Sequence, residues 1–313
     1  MIRTALRWLN LARRLATVDS WVLALGDLDT LRSGDAPQRL LRPTDDQCYW
    51  ADPFWAHPDG RNIVLCEEYD YRTRLGSIVA LEIGPDGEVA SKTTALETGD
   101  HLSYPFTFFD GEDWRCMPES SASGALSIYR LDSSLRLVDP QPITIEPDAL
   151  DATMHEVDGL LLLFYTTASD PETLRIACAE RIDGPWTEHP ASGQYRGEVR
   201  SAGRFLSTGH TLLRPTQDGR QRYGGAVRLS VIDQLSPSCY RERLAEVIEP
   251  PPGWEGLHTL NRRNDGIVIV DLVRRVPVWR HRSFATWRMS ELVRRVAEAR
   301  RRSMKARTSE ECR

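Results

Sequence analysis

An all-β fold, a five-bladed β-propeller, follows from three observations. One short hairpin layout recurs five times, each copy carries a two-residue turn ending in Gly, and each turn leads into an apolar, strand-like run. The clearest copy is Trp50-Ala51-Asp52-Pro53-Phe54, followed by Asp59-Gly60 and the run Ile63 to Leu65. The same order of parts returns as Leu102-Ser103-Tyr104-Pro105-Phe106 before Asp110-Gly111, Leu150-Asp151-Ala152-Thr153-Met154 before Asp158-Gly159, and Leu257-His258-Thr259-Leu260 before Asp265-Gly266. A weaker copy runs Ala202-Gly203-Arg204-Phe205 into Thr208-Gly209. Successive turn glycines lie 51, 48, 50 and 57 residues apart, a period that signals propeller blades when the pattern is all-β.

Taken in order, residues 1–18 interleave Arg3, Arg7, Arg13 and Arg14 with Leu6, Trp8, Leu9, Leu11 and Leu15, the pattern of a short basic amphipathic helix. Arg13-Arg14 interrupt any signal-peptide core, and no apolar run approaches the length of a membrane span. Residues 19–276 are expected to form the propeller. Its second strands are Ile63 to Cys66, Trp114 to Met117, Leu160 to Tyr165, Thr211 to Leu213 and Ile267 to Val270, each after a Gly turn. Third strands follow at Ile78 to Ile83, Leu126 to Leu131, Arg175 to Glu180 and Gly225 to Ile232. The fifth unit is one strand short, and Trp21 to Leu25 is the segment expected to complete it and close the ring. Residues 277–313 are read as a basic helical tail, helical from about Phe284 to Lys305; residues 271–313 carry 13 Lys and Arg against 5 Asp and Glu. The two basic termini are candidates for contact with an anionic membrane surface or a protein partner, or are simply solvated.

Composition excludes little: 41% hydrophobic and 27% charged residues suit a soluble protein, and a net charge of −5 gives no general attraction to nucleic acid. Six cysteines without metal-ligand spacing suit free thiols in a reducing cytoplasm, with location at the inner membrane periphery as the variant the basic termini allow. No cofactor and no metal is expected.

In a propeller the start of strand one and the end of strand two share one face. That rule places Asp52, Tyr104, Asp151, Arg204 and His258 with Glu67-Glu68, Glu119, Arg214 and Asp218 around one mouth. Asp52, Glu119 and Asp151 come from different blades and point to acid–base work at a glycosidic bond: Asp52 as base or nucleophile, Glu119 as acid, Asp151 as tuner. Read singly, Asp52 and Asp151 are equally turn residues. Arg200, Arg204 and Arg214 suit an anionic sugar, or else neutralise the rim. His258 is placed to bond a sugar hydroxyl or a central ion, or to serve the framework. Trp50, Trp55, Tyr69, Tyr104 and Tyr223 are available to stack on a sugar or to fill the core. Glu68, His101 and Asn261 complete the expected binding set. Asp27-Leu28-Asp29 matches the Asp-x-Asp of metal-dependent sugar transferases in three letters only.

Several stretches together resemble a family: Trp50 to Phe54, Glu67-Glu68-Tyr69, His101 to Phe106, Met117-Pro118-Glu119-Ser120, Asp151-Ala152-Thr153, Gly184-Pro185-Trp186-Thr187, Arg214 to Asp218, Tyr223-Gly224 and Gly256 to Asn261. As an ordered set over about residues 45–272 they resemble the N-terminal domain of plant glucosamine inositolphosphorylceramide transferases and its bacterial relatives, itself similar to the propellers of glycoside hydrolase family 43. The resemblance implies a carbohydrate-active protein of surface polysaccharide or glycoconjugate metabolism. It implies Asp52 as the first-blade base and Asp151 as the orienting Asp. Family 43 draws its acid Glu from a later blade, so Glu119 departs from that pattern and Glu198 is a second candidate. Sugar transfer in the plant proteins is implied to reside on a separate C-terminal domain, not expected in this chain. The alternative to an enzyme is a glycan-binding propeller that positions substrate for a partner glycosyltransferase.

Overall fold

A computed structural model describes residues 16–120, 124–146, 148–281 and 284–286. Five four-stranded antiparallel sheets stand in a ring, a five-bladed β-propeller. The first blade is β3 (Cys48–Ala56), β4 (Ile63–Asp70), β5 (Leu75–Ile83) and β6 (Val89–Leu96). The second is β7 (Ser103–Phe109), β8 (Trp114–Glu119), β9 (Leu126–Leu131) and β10 (Leu137–Ile143). The third is β11 (Ala149–Val157), β12 (Leu160–Thr167), β13 (Arg175–Ala179) and the two-residue β14 (Thr187–Glu188). The fourth is β15 (Leu206–Thr208), β16 (Thr211–Asp218), β17 (Ala226–Ser236) and β18 (Cys239–Ile248). The closing blade takes β19 (Gly256–Arg262) and β20 (Val268–Pro277) from the C-terminal side, and β1 (Thr17–Gly26) and β2 (Arg39–Leu41) from the N-terminal side.

Closure rests on β1, whose partners on β20 run without interruption from Thr17 opposite Pro277 to Gly26 opposite Val268. Trp21 to Leu25 thus completes the fifth blade, as the missing strand required. Thr17 and Val18 are strand, not the end of a helix. Residues 1–15 of the basic N-terminal stretch lie outside the described residues, as do 282, 283 and 287–313 of the C-terminal one, in which Pro277 still belongs to β20, Val278–Arg280 form a 3-10 turn and 284–286 are helical. Between β1 and β2 sits α1 (Leu28–Ser33), whose N-cap is Asp27: its carboxylate accepts the Thr30 N–H and hydroxyl, both at 2.8 Å. The Asp-x-Asp letters therefore belong to a helix start.

The turns behave as their residues dictate. Asp158-Gly159, with φ of 51° and 75°, joins Val157 and Leu160 as a two-residue type I′ hairpin, and Asp59-Gly60 has the same paired positive values, 51° and 74°, within the longer loop between Ala56 and Ile63. The core lies in the seams between neighbouring blades. Leu23, Leu41, Trp50 and Trp55 fill the seam of closing and first blades, and Ile63, Leu65, Ile78 and Cys116 the next. Phe106, Met117, Met154 and Leu163 follow, then Phe164, Phe205 and Tyr240, and finally Val227, Leu229, Val270 and Leu272. Strands with both faces buried this way read as continuous apolar runs, which is why Leu160 to Tyr165 carries no polar residue.

The fourth first-strand is degenerate for a steric reason. Gly203 has φ of 132°, and a Cβ there would stand 2.1 Å from the Leu260 carbonyl oxygen. Gly203→Ala is expected to cost about 2 kcal/mol or more, seen as a lowered urea midpoint at unchanged slope; a midpoint equal to wild type would show that this close approach is not needed.

Candidate functional site

The site is built on a bulge repeated at the start of the first strands. Register slips between Ala51 and Phe54, Ser103 and Phe106, and Leu150 and Thr153, and the residues inside the slips, Asp52, Tyr104 and Asp151, have φ of 52°, 43° and 46°. A left-handed backbone at a non-glycine residue is unfavourable and persists only where its surroundings hold it. Here carboxylates hold it: the N–H of Asp52 donates to Asp271 at 2.9 Å, that of Tyr104 to Asp52 at 3.2 Å, and that of Asp151 to Glu119 at 3.0 Å. The bulge turns three backbone donors toward the axis, and acidic side chains from neighbouring blades accept them.

A cavity of about 140 Å³ opens over this ring. Asp52, Glu67, His101, Glu119, Arg200, Tyr223 and His258 line it, with Trp21, Tyr49, Ala51 and Ser103. Asp52 is buried, accepts the Thr259 hydroxyl at 2.7 Å, and lies 3.5 Å from His258 Nε2. Burial raises its pKa to about 6, against the opposing pull of His258. Burial alone would lower His258, but Asp271 and Asp52 outweigh it and raise it to about 9. The Asp271 carboxylate stands 2.6 Å from His258 Nδ1, an ion contact too oblique for a hydrogen bond. Asp271 also accepts the N–H groups of His258 at 3.1 Å and Thr259 at 2.8 Å. The His258 ring stacks on Trp21 with centroids 4.1 Å apart.

Two further buried carboxyls complete the set. Glu67 accepts no hydrogen bond from any described residue, and its Oε1 is sealed from solvent 3.7 Å from His101 Nε2. Burial, then the charges of Asp52, Glu119, Asp271 and Asp151, push its pKa well above the usual range. His101 accepts the Gly76 N–H through Nδ1 at 2.9 Å, so its neutral form carries the proton on Nε2, toward Glu67. Glu119 is also raised well above its ordinary value, by burial and by Asp151, with Arg200 opposing. Arg200 clamps Asp151 through Nε and, at 3.3 Å, through Nη2, and its Nη2 is 3.5 Å from Glu119. Gln217 adds a bond to Asp151 at 2.8 Å. Tyr223, 55% exposed, stands edge-on to His258 and beneath the Arg200 guanidinium at the mouth. Asp52, His258 and Asp271 also form a group of potential ion ligands within 4.8 Å of one another. Their oxygens already accept four backbone N–H groups and one hydroxyl, which ties the closing, first and second blades into one hydrogen-bonded hub.

The structure brings Asp52, Glu119 and Asp151 to one place, with His101, Arg200, Tyr223 and His258. It takes the other expected residues elsewhere. Trp50 and Glu68 turn away, because the pairing sets Ala51 opposite Glu67 and Trp50 opposite Glu68; Trp50 Nε1 donates to Glu68 at 2.8 Å, and Lys92 holds Glu68 at 2.7 Å. Tyr104 is fully buried beneath the cavity, its hydroxyl bonded to Thr153 and to the Gly203 N–H, both at 2.8 Å. Asn261 accepts the Arg204 N–H and donates to the Pro53 carbonyl, each at 2.8 Å, while the Arg204 guanidinium is bound to Thr107. Arg214 is buried against Glu242 at 3.0 Å, and Asp218 pairs with Arg220 and Arg228. Trp55 is core under Arg263, and Tyr69 stacks on Tyr49. Glu67-Glu68 are both expected at the mouth, but the expected binding set takes Glu68, which only strand parity separates from Glu67, and it omits Asp271, whose signal is a lone charge amid the apolar run Val268 to Val273.

The five-bladed ring is a fold shared with solved carbohydrate-active enzymes. Among solved structures, the catalytic domain of the Coprinopsis cinerea family 62 α-L-arabinofuranosidase superposes with a TM-score of 0.56 at 13% identity, covering 82% of this chain and 98% of that one. A thermostable family 43 glycoside hydrolase gives 0.51 at 14% identity, over 65% of this chain and 77% of that one. At such identities these matches establish the fold. Residues 34–252 match the family model for glucosamine inositolphosphorylceramide transferase 1, N-terminal, and the chain belongs to that family. Over 205 residues it is 31% identical to glucosamine inositolphosphorylceramide transferase 1 of Oryza sativa subsp. indica, covering 61% of this chain and 27% of the rice protein. The Arabidopsis thaliana protein of the same name is 30% identical over 158 residues, 47% of this chain and 20% of that one. The match thus spans about a quarter of the curated relatives.

Proposed function

We propose that this protein acts at the glycosidic bond of a terminal sugar held in the axial cavity, with Asp52 as base or nucleophile and Glu67, in place of Glu119, as acid. The contrast between these two carboxyls carries the reading. Asp52 accepts bonds from Thr259 and Tyr104 and faces a protonated His258, all favouring its charged form. Glu67 is as buried, takes no hydrogen bond from any described residue and is ringed by carboxylates, which favours its neutral form. Two carboxyls whose surroundings separate their protonation states are what acid–base cleavage or transfer at a glycosidic bond requires. Glu119 is already engaged by the Asp151 N–H and Arg200, which suits a tuning role.

At about 140 Å³ the cavity is well below the roughly 300–1,000 Å³ of pockets for larger ligands, a size for one sugar ring. Relatives named glucosamine inositolphosphorylceramide transferases, and neighbours solved with xylotriose and β-1,3-galactotriose, support a sugar or glycoconjugate ligand. On the same grounds we assign the chain to glycoconjugate or surface polysaccharide metabolism. A second reading, a propeller that holds a glycan for a partner glycosyltransferase, draws support from Arg200, which immobilises two of the three carboxylates expected to react.

Glu67→Gln separates the two. A missing acid is felt where the leaving group needs a proton, so hydrolysis or transfer of unactivated glycosides should fall about 10²–10⁴-fold, while dinitrophenyl glycosides keep most of their turnover. Sugar binding without turnover in the wild type, unchanged in Glu67→Gln, would establish the binding reading instead.

A further inference from the structure

A second cavity, of about 520 Å³, opens beside the first, and Trp21 lines both. Strand register builds it. Arg274 of β20 lies opposite Ser20 of β1, and Leu41 lies opposite Leu23, so the next residue, Arg42, falls beside Val22. Ser20 and Val22 share one face of β1, so arginines from the strands on either side converge on that face. The cavity is lined by both, and by Arg280, whose guanidinium stacks 5.6 Å from the Trp279 ring.

Among the described residues, Arg42, Arg274 and Arg280 form no ion pair. Arg274 Nε is buried without a hydrogen bond, its guanidinium resting 5.9 Å from the Trp254 ring. Arg42, exposed at the rim, makes no hydrogen bond or ion pair among the described residues, and partial desolvation, then the charge of Arg274, lowers its pKa. Nearby arginines of the same blade end are treated differently: Arg222 pairs with Asp19 at 3.0 Å and Glu255 at 2.9 Å, and Arg275 approaches the same two acids. Of the two acids that line the cavity, Asp45 pairs with Arg72 at 2.9 Å, and Asp46 accepts the neutral Gln47 amide at 2.8 Å, which leaves three guanidiniums against one carboxylate charge. The excess positive charge among these guanidiniums favours an anion that sits between them. Several cations converging on one space suit a group with several acceptor oxygens, and Trp279, 68% exposed, supplies an apolar wall for the carbon skeleton attached to it.

We propose that this cavity is a binding site for a phosphate-bearing group, separate from the acid-lined cavity and divided from it by Trp21. Arg200, Arg204 and Arg214, the arginines first expected to meet an anion, are all occupied. Anion recognition therefore moves from the fourth blade to the closing one. Two sources present this chemistry: a phosphate on the glycan substrate, or a lipid headgroup at a membrane surface.

The test is calorimetric titration of the full chain with inorganic phosphate and with a sugar 1-phosphate, alongside co-sedimentation with phosphatidylcholine vesicles with and without phosphatidic acid. The wild type should bind phosphate, and the double variant Arg42→Gln, Arg274→Gln should bind at least about tenfold more weakly, as loss of charge-assisted bonds requires. Tighter binding of the sugar phosphate identifies a substrate phosphate; capture by phosphatidic acid vesicles that the double variant loses identifies a headgroup. No binding, or equal binding by wild type and double variant, overturns the proposal. Glu67→Gln should bind phosphate as the wild type does, so failure of the catalytic reading leaves this result intact.

Discussion

Asp52→Asn is expected to abolish measurable turnover of any sugar substrate, about 10²–10⁴-fold or more, while leaving the propeller folded. Asparagine is nearly isosteric, tolerates the left-handed backbone at φ 52°, and can still accept the Thr259 hydroxyl through its amide oxygen. It cannot accept a proton or attack a sugar carbon, so both readings of the Asp52 role give the same outcome. Because the loss is of the nucleophile or base, activated aryl glycosides should not rescue it, unlike Glu67→Gln, where they should. The wild type should show the matching pH dependence. With Asp52 titrating at about 6, kcat/KM should fall as pH drops through that value, because the ionised form is the working one. At the alkaline end it should fall as Glu67, raised well above the usual carboxyl range, loses its proton. A screen of activated furanosides, pyranosides and nucleotide sugars at several pH values provides the comparison. Equal turnover by wild type and Asp52→Asn would remove Asp52 from the chemistry.

Much of this arrangement was legible because the repeat carries geometry. Five Gly turns at near-constant spacing placed five hairpins, and a fifth unit short of one strand pointed to Trp21 to Leu25 as closure. Asp52 and Asp151 stood out because they hold the same place in the repeat, at a strand-one start, where the structure has a bulge in each of the first three blades. What lay hidden depends on parity and pairing. Glu67 and Glu68 are adjacent, and only the one-residue slip at Asp52 decides which faces the axis. Arg204 and Arg214 sit at mouth positions in the pattern, yet their partners, Thr107 and Glu242, come from other parts of the chain, and no local pattern announces such contacts. Asp271 lies one residue past the strand read as Ile267 to Val270, which the structure extends to Pro277, and a lone charge buried there must have a purpose, since an unpaired buried carboxylate is too costly to keep.

That purpose sets the largest expected loss of stability. Asp271 is fully buried and accepts three backbone N–H groups, from Asp52, His258 and Thr259, besides contacting the His258 ring. Asp271→Ala would strand all three donors and leave a buried imidazolium with Asp52 as its remaining counter-charge. Breaking one side of a buried ion pair costs about 3–5 kcal/mol, before the orphaned N–H groups are counted. Urea unfolding should therefore show a large drop in midpoint, or a chain that no longer folds. Asp271→Asn, which keeps one acceptor oxygen, should fall between that variant and wild type. The ion pair also has a pH signature. His258 has an ordinary pKa of 6.5 and about 9 in the folded protein, so the stability it contributes is fully present below 6.5 and is lost as pH rises through about 9. Wild-type stability should decline across that window, and the decline should shrink in Asp271→Asn, because the charge that holds the proton on His258 is gone. If the wild type keeps its full unfolding free energy to the alkaline side of 9, His258 is neutral in the folded state, and Asp271 acts through its backbone bonds alone.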